Sequence, residues 1–317
     1  MVVNSLICMK YDFQVIYMPF KSANLAGVSI DRLNTLCAVV EAGTIAAAAG
    51  PDLNRQSQFS RQLKELEKAL GANLFDRAGK TLHPNATGRR VALAIQTFFG
   101  ALDDVMDAAQ ARAESIRLGA GEAVLRWFVM PHLGQLMSGD PPLRFEVHSL
   151  NTESALRELL TGSVDLVIMR TDSAPDDWHS EVVKTVPYVL AVPRVLLRSR
   201  EAAEVFEGSP LPFAELAGDG FFARTVETTA TTLGLNLRPV IKAQTFSLLV
   251  SAVESGTAAA FLPELAAKSL PEEHFALVYA EGMHALNRSL SLVWSAQVAE
   301  SRPAVRRAIT RLRRVLA

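Results

Sequence analysis

The chain has 317 residues, 49% of them hydrophobic and 21% charged, and its 32 Lys and Arg against 33 Asp and Glu leave a formal charge of -1. That composition excludes whole-chain disorder, collagen-like repeats and low-complexity classes, and the length suits two domains or more. A balanced total argues at first sight against nucleic acid, whose partners carry positive charge on the binding face.

Residues 1–28 begin with an apolar patch that Lys10 and Asp12 interrupt, and no small-residue cleavage pattern follows. A signal peptide is not expected. Residues 1–28 read as a weakly ordered extension, with Met18 as a second possible start. Cys8 and Cys37 are too few for a disulfide framework or a four-thiolate zinc site, which fits a reducing cytoplasm. Cys37, among Leu33, Leu36 and Val40 at helical spacing, reads as a small buried hydrophobe. No run of 18 apolar residues occurs, so no membrane span is expected.

In chain order, residues 29–40 carry a helical apolar period behind a Ser29 N-cap, and Gly43 ends it. Residues 45–49 suit a second small helix, stopped by Gly50 and Pro51. A third helix is predicted behind an Asn54 N-cap, with Phe59, Leu63, Leu66 and Leu70 on one face and Gly71 as its stop. Residues 74–84 then suit a small two-stranded wing. From Asn85, a second possible N-cap, a long helix carries Val91, Ile95, Phe98, Leu102, Val105 and Ala109 at a/d heptad spacing. A lone helix cannot bury that stripe: it lies on its own domain or pairs with a second copy, and the flanking Asp103, Asp104 and Asp107 favour pairing.

Beyond Glu114 the pattern alternates. Strands are expected at 115–118, 143–149 and 164–169, with helices at 124–137 and 152–160 between them, a rhythm that predicts a parallel sheet covered on both faces. A second α/β run is expected from about 193 to 279: strand 220–223, helix 228–233, strand 240–242, helix 247–255 and strand 258–262. Strand 289–295 and the amphipathic helix 303–316 close the chain.

Several motif groups now coincide. They are Val39-Val40-Glu41-Ala42-Gly43-Thr44, Ala48-Ala49, Gln56, Phe59-Ser60-Arg61-Gln62, Leu66-Glu67, Leu70-Gly71 and Leu74-Phe75-Asp76-Arg77, supported downstream by Leu156-Arg157-Glu158-Leu159-Leu160-Thr161-Gly162, Val164-Asp165-Leu166-Val167-Ile168, Ser251-Ala252-Val253-Glu254-Ser255-Gly256 and Leu262-Pro263. In these residues the sequence resembles the LysR-type transcriptional regulators. The resemblance implies an α/β protein with an N-terminal winged helix-turn-helix (29–84), a long linker and dimerisation helix (85–114), and a two-lobed periplasmic-binding-protein-like effector domain (115–317). Lobe one is expected at about 115–192 and 284–317, lobe two at 193–283. Departures stand at Arg55 and Ser57, where the family usually has Ser and Pro, at Asp52, whose expected Leu has slipped to Leu53, and at Pro84-Asn85 in place of Leu-Thr.

The polar face of the third helix supplies Arg55, Gln56, Ser57, Ser60, Arg61 and Lys64. Arg suits guanine and Gln suits adenine, so Arg55, Gln56 and Ser57 are expected to read bases, and Arg61, Lys64, Arg77 and Lys80 to hold phosphates. In two-lobed α/β proteins ligands lie beyond the carboxyl ends of the strands, which points to Gly121, Glu122, Asn151, Thr152, Arg170, Arg224, Thr225 and Thr245 for a small effector. Arg170 and the helix start near Thr152 favour a carboxylate, whereas Glu122 repels an acid or receives an amine.

Rival chemistry has little support. The six histidines are scattered, no third glycine follows Gly119 and Gly121 because residue 124 is Val, and no P-loop or serine elbow occurs. No metal, cofactor or catalytic residue is expected. The arginines at 302, 306, 307, 311, 313 and 314 are expected on the outside of the last helix. The reading is a cytoplasmic, non-enzymatic regulator acting on double-stranded DNA as a homodimer or homotetramer, with a small effector, possible RNA polymerase contact and no membrane. The alternative is a solute-binding or enzymatic α/β protein without specific DNA binding.

The charge balance conceals a split. Residues 55–90 hold eight basic against three acidic residues, residues 301–317 hold six arginines and no acid, and the remainder is acidic. Phosphate is therefore expected at the N-terminal domain.

Overall fold

The computed structural model describes residues 28–79, 81–176, 178–199, 201–218 and 220–316. The expected extension and Lys80 lie outside the described residues. The chain divides into two compact units, 1–87 and 88–317.

In the first unit, α1 (Ile30–Ala42), α2 (Ile45–Ala49) and α3 (Leu53–Leu70) pack about Leu36, Val39, Val40, Phe59, Leu63 and Leu66, all buried. Ser29 and Thr44 cap the first two helices as their side chains accept backbone N–H groups. The third helix starts earlier than its sequence pattern suggested. Asp52, not Asn54, is its N-cap, and its carboxylate accepts from the N–H groups of Asn54 at 2.9 Å and Arg55 at 3.2 Å. An ionised carboxylate takes both donors at once and complements the helix dipole, an advantage the neutral Asn54 lacks. Thr35 donates to Gln62 at 2.7 Å and Arg32 pairs with Glu65, fixing α1 on α3. Glu67 accepts from the N–H of Leu74 at 2.7 Å, which directs the chain into an antiparallel wing, β1 (Phe75–Ala78) and β2 (Thr81–Pro84). Cys37 is buried, and burial together with the nearby Glu41 pushes its thiol up to about 11.

The long helix α4 (Ala86–Ala109) continues into the second unit. Its buried face there is Gly88, Ala92, Leu93, Thr97 and Asp104, not the heptad stripe. Phe98, Leu102 and Val105 are 63%, 47% and 65% exposed, while Val91 and Ile95 are half-buried.

Lobe one follows. Its strands are β3 (Glu114–Ala120), β4 (Leu143–Ser149), β5 (Leu166–Arg170) and β6 (His179–Val186). The run between β3 and β4 is helical throughout but changes winding: α5 (Glu122–Val124), a π-helical turn (Leu125–Val129), a 3-10 turn (Met130–His132) and α6 (Leu133–Met137). Helix α7 (Thr152–Thr161) joins β4 to β5, with Asn151 as its N-cap and left-handed Gly162 as its stop. The chain then crosses at Pro187 into lobe two: β7 (Tyr188–Pro193), β8 (Leu211–Leu216), α8 (Gly220–Leu233), β9 (Leu237–Ala243), α9 (Phe246–Glu254), β10 (Ala260–Pro263), α10 (Glu264–Ala267) and β11 (Phe275–Val278). It returns to lobe one for β12 (Arg288–Trp294), α11 (Ala296–Ser301) and α12 (Pro303–Leu316).

The lobe-one sheet has the order β4-β3-β5-β12-β6 and is mixed: β3 runs parallel to β4 and β5, whereas β12 is antiparallel to β5 and β6. The purely parallel expectation fails because β12 arrives from the other lobe, a connection that the right-handed βαβ rule does not govern. Lobe two holds β10-β7-β11 and β8-β9, joined by a parallel bridge from Phe213 to Ala259. The division therefore falls at Pro187, not at 192/193, since β7 pairs only with lobe-two strands. The expected strand at 220–223 is the first turn of α8. Its apolar Phe221 and Phe222 fit either period in so short a window, and the strand that precedes the helix is β8.

Arg302 ties α4 to lobe one. Its guanidinium, 3% exposed, donates to both carboxylate oxygens of Asp104 at 3.0 and 2.9 Å, to Asp165 at 2.6 Å and to the Ser115 carbonyl at 3.0 Å. Asp165 also accepts from Arg117 at 2.7 Å. Burial opposes the charge on Arg302, but Asp104 and Asp165 outweigh it and hold the guanidinium above its ordinary range. Two glycines allow the close approach: a Cβ at Gly100 would lie 2.9 Å from Arg302 Nη1, and one at Gly162 would lie 2.9 Å from Gln96 Cβ. The arginine cluster thus departs from the expected solvated face, since Arg302 and Arg311 are both buried. Removing one member of a buried ion pair strands its partners, so Arg302→Met is expected to cost about 3–5 kcal/mol in urea unfolding. Adding Asp104→Leu should recover part of that loss; a single-variant cost under about 1 kcal/mol would contradict the account.

Candidate functional site

In the first unit, α3 presents an apolar face inward and a polar face outward. Arg55, Ser57, Arg61 and Lys64 are exposed, and Gln56 and Ser60 are half-buried. Arg77 is exposed on β1. Three of these side chains have intramolecular partners. Gln56 Nε2 donates to the Gly50 carbonyl at 2.8 Å, Ser57 Oγ donates to the Leu53 carbonyl at 2.9 Å, and the Arg55 guanidinium lies 5.2 Å from the centre of the Phe59 ring. The Gln56 bond closes the turn between α2 and α3. Asn54, Gln58 and Lys68 are also exposed on this helix and extend the same polar face. Sequence reasoning passed over them, although the spacing of residues 54, 58, 61 and 68 places them together.

In the second unit a cavity of about 710 Å³ lies between the lobes. The carboxyl ends of the strands supply its rim, because backbone N–H groups and helix starts converge there. From the predicted set, Gly121, Glu122, Asn151, Thr152, Arg170 and Thr245 line it. Arg224 and Thr225 do not: both lie on α8, Arg224 exposed, and the lobe-two strand end that faces the cavity is β8, through Leu216, Ala217 and Gly218. Their assignment followed from the misplaced strand at 220–223.

The cavity carries both charge signs. Arg170 Nη2 donates to Ser173 at 3.3 Å and its Nε lies 3.4 Å from Asp172. Arg288 also lines it, its guanidinium 5.3 Å from the centre of the Phe222 ring. Leu290 pairs with Arg170 across antiparallel strands, so Arg288 falls beyond the carboxyl end of β5, directly on the cleft. A purely parallel sheet would have put the start of β12 at the opposite end, which is why sequence reasoning missed it. Opposite charge comes from Glu122 and Glu153. Ser247 donates to Glu122 Oε1 and accepts from Arg126 Nη1 at 3.2 Å, so α5 and the π-helical turn of lobe one grip α9 of lobe two. Glu122 Oε2 is buried and has no hydrogen-bond partner among the described residues.

Apolar walls complete the cavity. Tyr188, Phe222 and Phe246 pack ring against ring with centroids 5.3 to 5.8 Å apart, and Trp127 and Phe128 add to them. Such a site can bind and orient a small molecule bearing a carboxylate and a cationic group. Among the described residues no group of three or more His, Cys, Asp and Glu is placed to hold a metal ion, and no helix is long and apolar enough to cross a membrane.

Comparison with known proteins matches both units. Residues 30–89 match the model of the bacterial regulatory helix-turn-helix protein, lysR family, and residues 109–317 match the LysR substrate binding domain. The probable HTH-type transcriptional regulator LrrA of Synechococcus elongatus is 26% identical over 257 residues, 78% of this chain and 84% of that protein. Among solved structures, DarR of Vibrio fischeri in complex with DNA aligns with a TM-score of 0.54 at 17% identity, covering 91% of this chain and 99% of that one. Full-length LysG of Corynebacterium glutamicum, with bound effector Arg, aligns with a TM-score of 0.57 at 16% identity, covering 89% of this chain and 99% of that one. With a helix-turn-helix model at one end and a substrate-binding model over two thirds of its length, this chain belongs to the LysR family of transcriptional regulators.

Proposed function

We propose that this regulator binds double-stranded DNA as a homo-oligomer through α3 and the wing, and that the interlobe cavity holds a small zwitterion whose carboxylate meets Arg170 and whose ammonium meets Glu122. It works without covalent chemistry, in the cytoplasm where its DNA lies. The observation that carries the reading is the cleft itself: a cavity of about 710 Å³ with arginine and glutamate on its rim, in a chain whose other unit exposes a basic helix face. The bound effector of LysG is an amino acid, in line with a ligand carrying both charges.

On DNA, Arg55 and Ser57 are assigned to base edges and Arg61, Lys64, Arg77 and Lys80 to phosphates. Gln56, bonded to Gly50, acts by holding the turn until a base competes for its amide. Effector and DNA affinities are then linked, each changing the other by the same factor. The oligomer is assigned to the exposed stripe of α4, where Phe98, Leu102 and Val105 lose water against a second copy.

Three outcomes follow. In gel shifts on the region upstream of the gene, Arg61→Ala should weaken every sequence alike and reduce the salt slope by about 1, whereas Arg55→Ala should cost about 1–3 kcal/mol of discrimination at one base pair. Equal wild-type affinity for random and upstream DNA would overturn the regulator reading. By calorimetry with a panel of amino acids, Arg170→Ala should weaken the best ligand by about 1.5–3 kcal/mol, and Glu122→Gln should weaken it while leaving its deaminated acid unaffected. Unchanged affinity in Arg170→Ala would remove that assignment. In sedimentation, Phe98→Glu should shift the oligomer toward monomer at micromolar concentration, and an unmoved profile would place the interface elsewhere.

A further inference from the structure

The last helix creates a second cavity on the second unit, of about 520 Å³, between α12 and the loop that follows α6. Arg306, Arg307, Arg311 and Arg314 line it, and Asp140 is the one acid among its lining residues. Arg307 already pairs with Glu114, whereas Arg306 and Arg314 are exposed and form no ion pair among the described residues. Arg311 is the telling member. Its side chain is about nine-tenths buried, yet among the described residues it meets no carboxylate: Nη1 donates to the Leu136 carbonyl at 3.3 Å and Nη2 to the Pro141 carbonyl at 2.6 Å. A buried charge with no carboxylate in direct contact is costly, and two neutral carbonyls and the more distant Glu114 offset only part of that cost. Burial, with Arg307 and Arg314 adding to it, pushes the Arg311 guanidinium below its ordinary range. The loop at Gly139 is shaped around this side chain, since a Cβ there would lie 2.7 Å from Arg311 Nη2.

We propose that this arginine-lined cavity is a binding site for a small anion carrying two or more negative charges, a pyrophosphate or phosphate ester, distinct from the effector cleft. Four guanidinium groups against Asp140 and the Glu114 that pairs with Arg307 leave an excess of two positive charges. A monocarboxylate neutralises only one of these, whereas a phosphate presents several acceptor oxygens to planar guanidinium forks. The loop at 138–140 ends the helical run that begins at Glu122 on the effector cleft, so the two sites sit at opposite ends of one helical segment.

The test is calorimetry of the full chain with sodium pyrophosphate at neutral pH, ionic strength held constant with chloride. One saturable site per chain is expected. The exposed pair Arg306→Ala and Arg314→Ala should keep the wild-type circular dichroism and weaken binding by about tenfold or more, while Arg170→Ala binds as the wild type. No saturable binding, an undiminished affinity in the double variant, or loss in Arg170→Ala would each overturn the proposal. A DNA arm separates the sources of phosphate: the double variant should bind the upstream fragment as tightly as the wild type. Reduced DNA affinity in a chain that takes no pyrophosphate would reassign the patch to the duplex.

Discussion

The Arg302 guanidinium is the contact on which the second unit depends. It is shared by the carboxylates of Asp104 on α4 and Asp165 before β5, with the Ser115 carbonyl of β3 completing its donors. A buried network of this kind need not add net stability over apolar packing, because desolvation consumes much of the Coulomb gain. Its effect is geometric: bidentate donation to Asp104 fixes the rotation and axial position of α4 on the domain, and an apolar contact would permit sliding. Gly100 and Gly162 make the same demand sterically, because side chains there would separate the helix from lobe one. That fixed rotation decides which face of α4 remains outside. With Asp104 and Leu93 turned inward, Phe98, Leu102 and Val105 are left to solvent.

The network and the cleft also share their strands. Ser115 and Asp165 stand at the starts of β3 and β5 and Arg117 midway along β3, while Gly121 and Arg170 stand at or just past the strand ends. Seven residues of β3 span about 23 Å, in a sheet whose hydrogen bonds resist bending. On the proposed reading, a ligand held by Glu122 and Arg170 would sit at the cleft end of strands whose other end holds α4. Only differential affinity for the open and closed arrangements can shift such a balance. The Glu122–Ser247–Arg126 contact, which already spans the lobes, is the bond a cationic ligand group would compete for.

Legibility followed locality. The tri-helical unit was readable because its caps, glycine stops and apolar spacing are all short-range, and the one correction there, Asp52 for Asn54, is a shift within a single turn. Lobe two was harder. The run Tyr188–Pro193 is buried throughout and lacks the alternation that marks a half-exposed strand, and it went unassigned along with its neighbour His179–Val186. The apolar residues at 220–223 suggest a strand although they open α8, and this shifts the expected ligand residues to Arg224 and Thr225. Arg288 escaped notice because its place on the cleft depends on the antiparallel direction of β12, a fact of topology that no local window contains.

The six arginines of the final segment show what composition alone conceals. Counted together they suggest a solvated basic face, yet their environments differ. Arg302 is consumed by Asp104 and Asp165, Arg307 by Glu114, and Arg313 by Glu181 at 2.9 Å. Among the described residues the unmatched charge is therefore confined to Arg306, Arg311 and Arg314, which lie on one helix and line the same cavity. Paired arginines serve the fold and leave no excess field. The three that form no ion pair among the described residues are gathered at one cavity beside Asp140, and there the positive charge of the C-terminal segment becomes available to a partner.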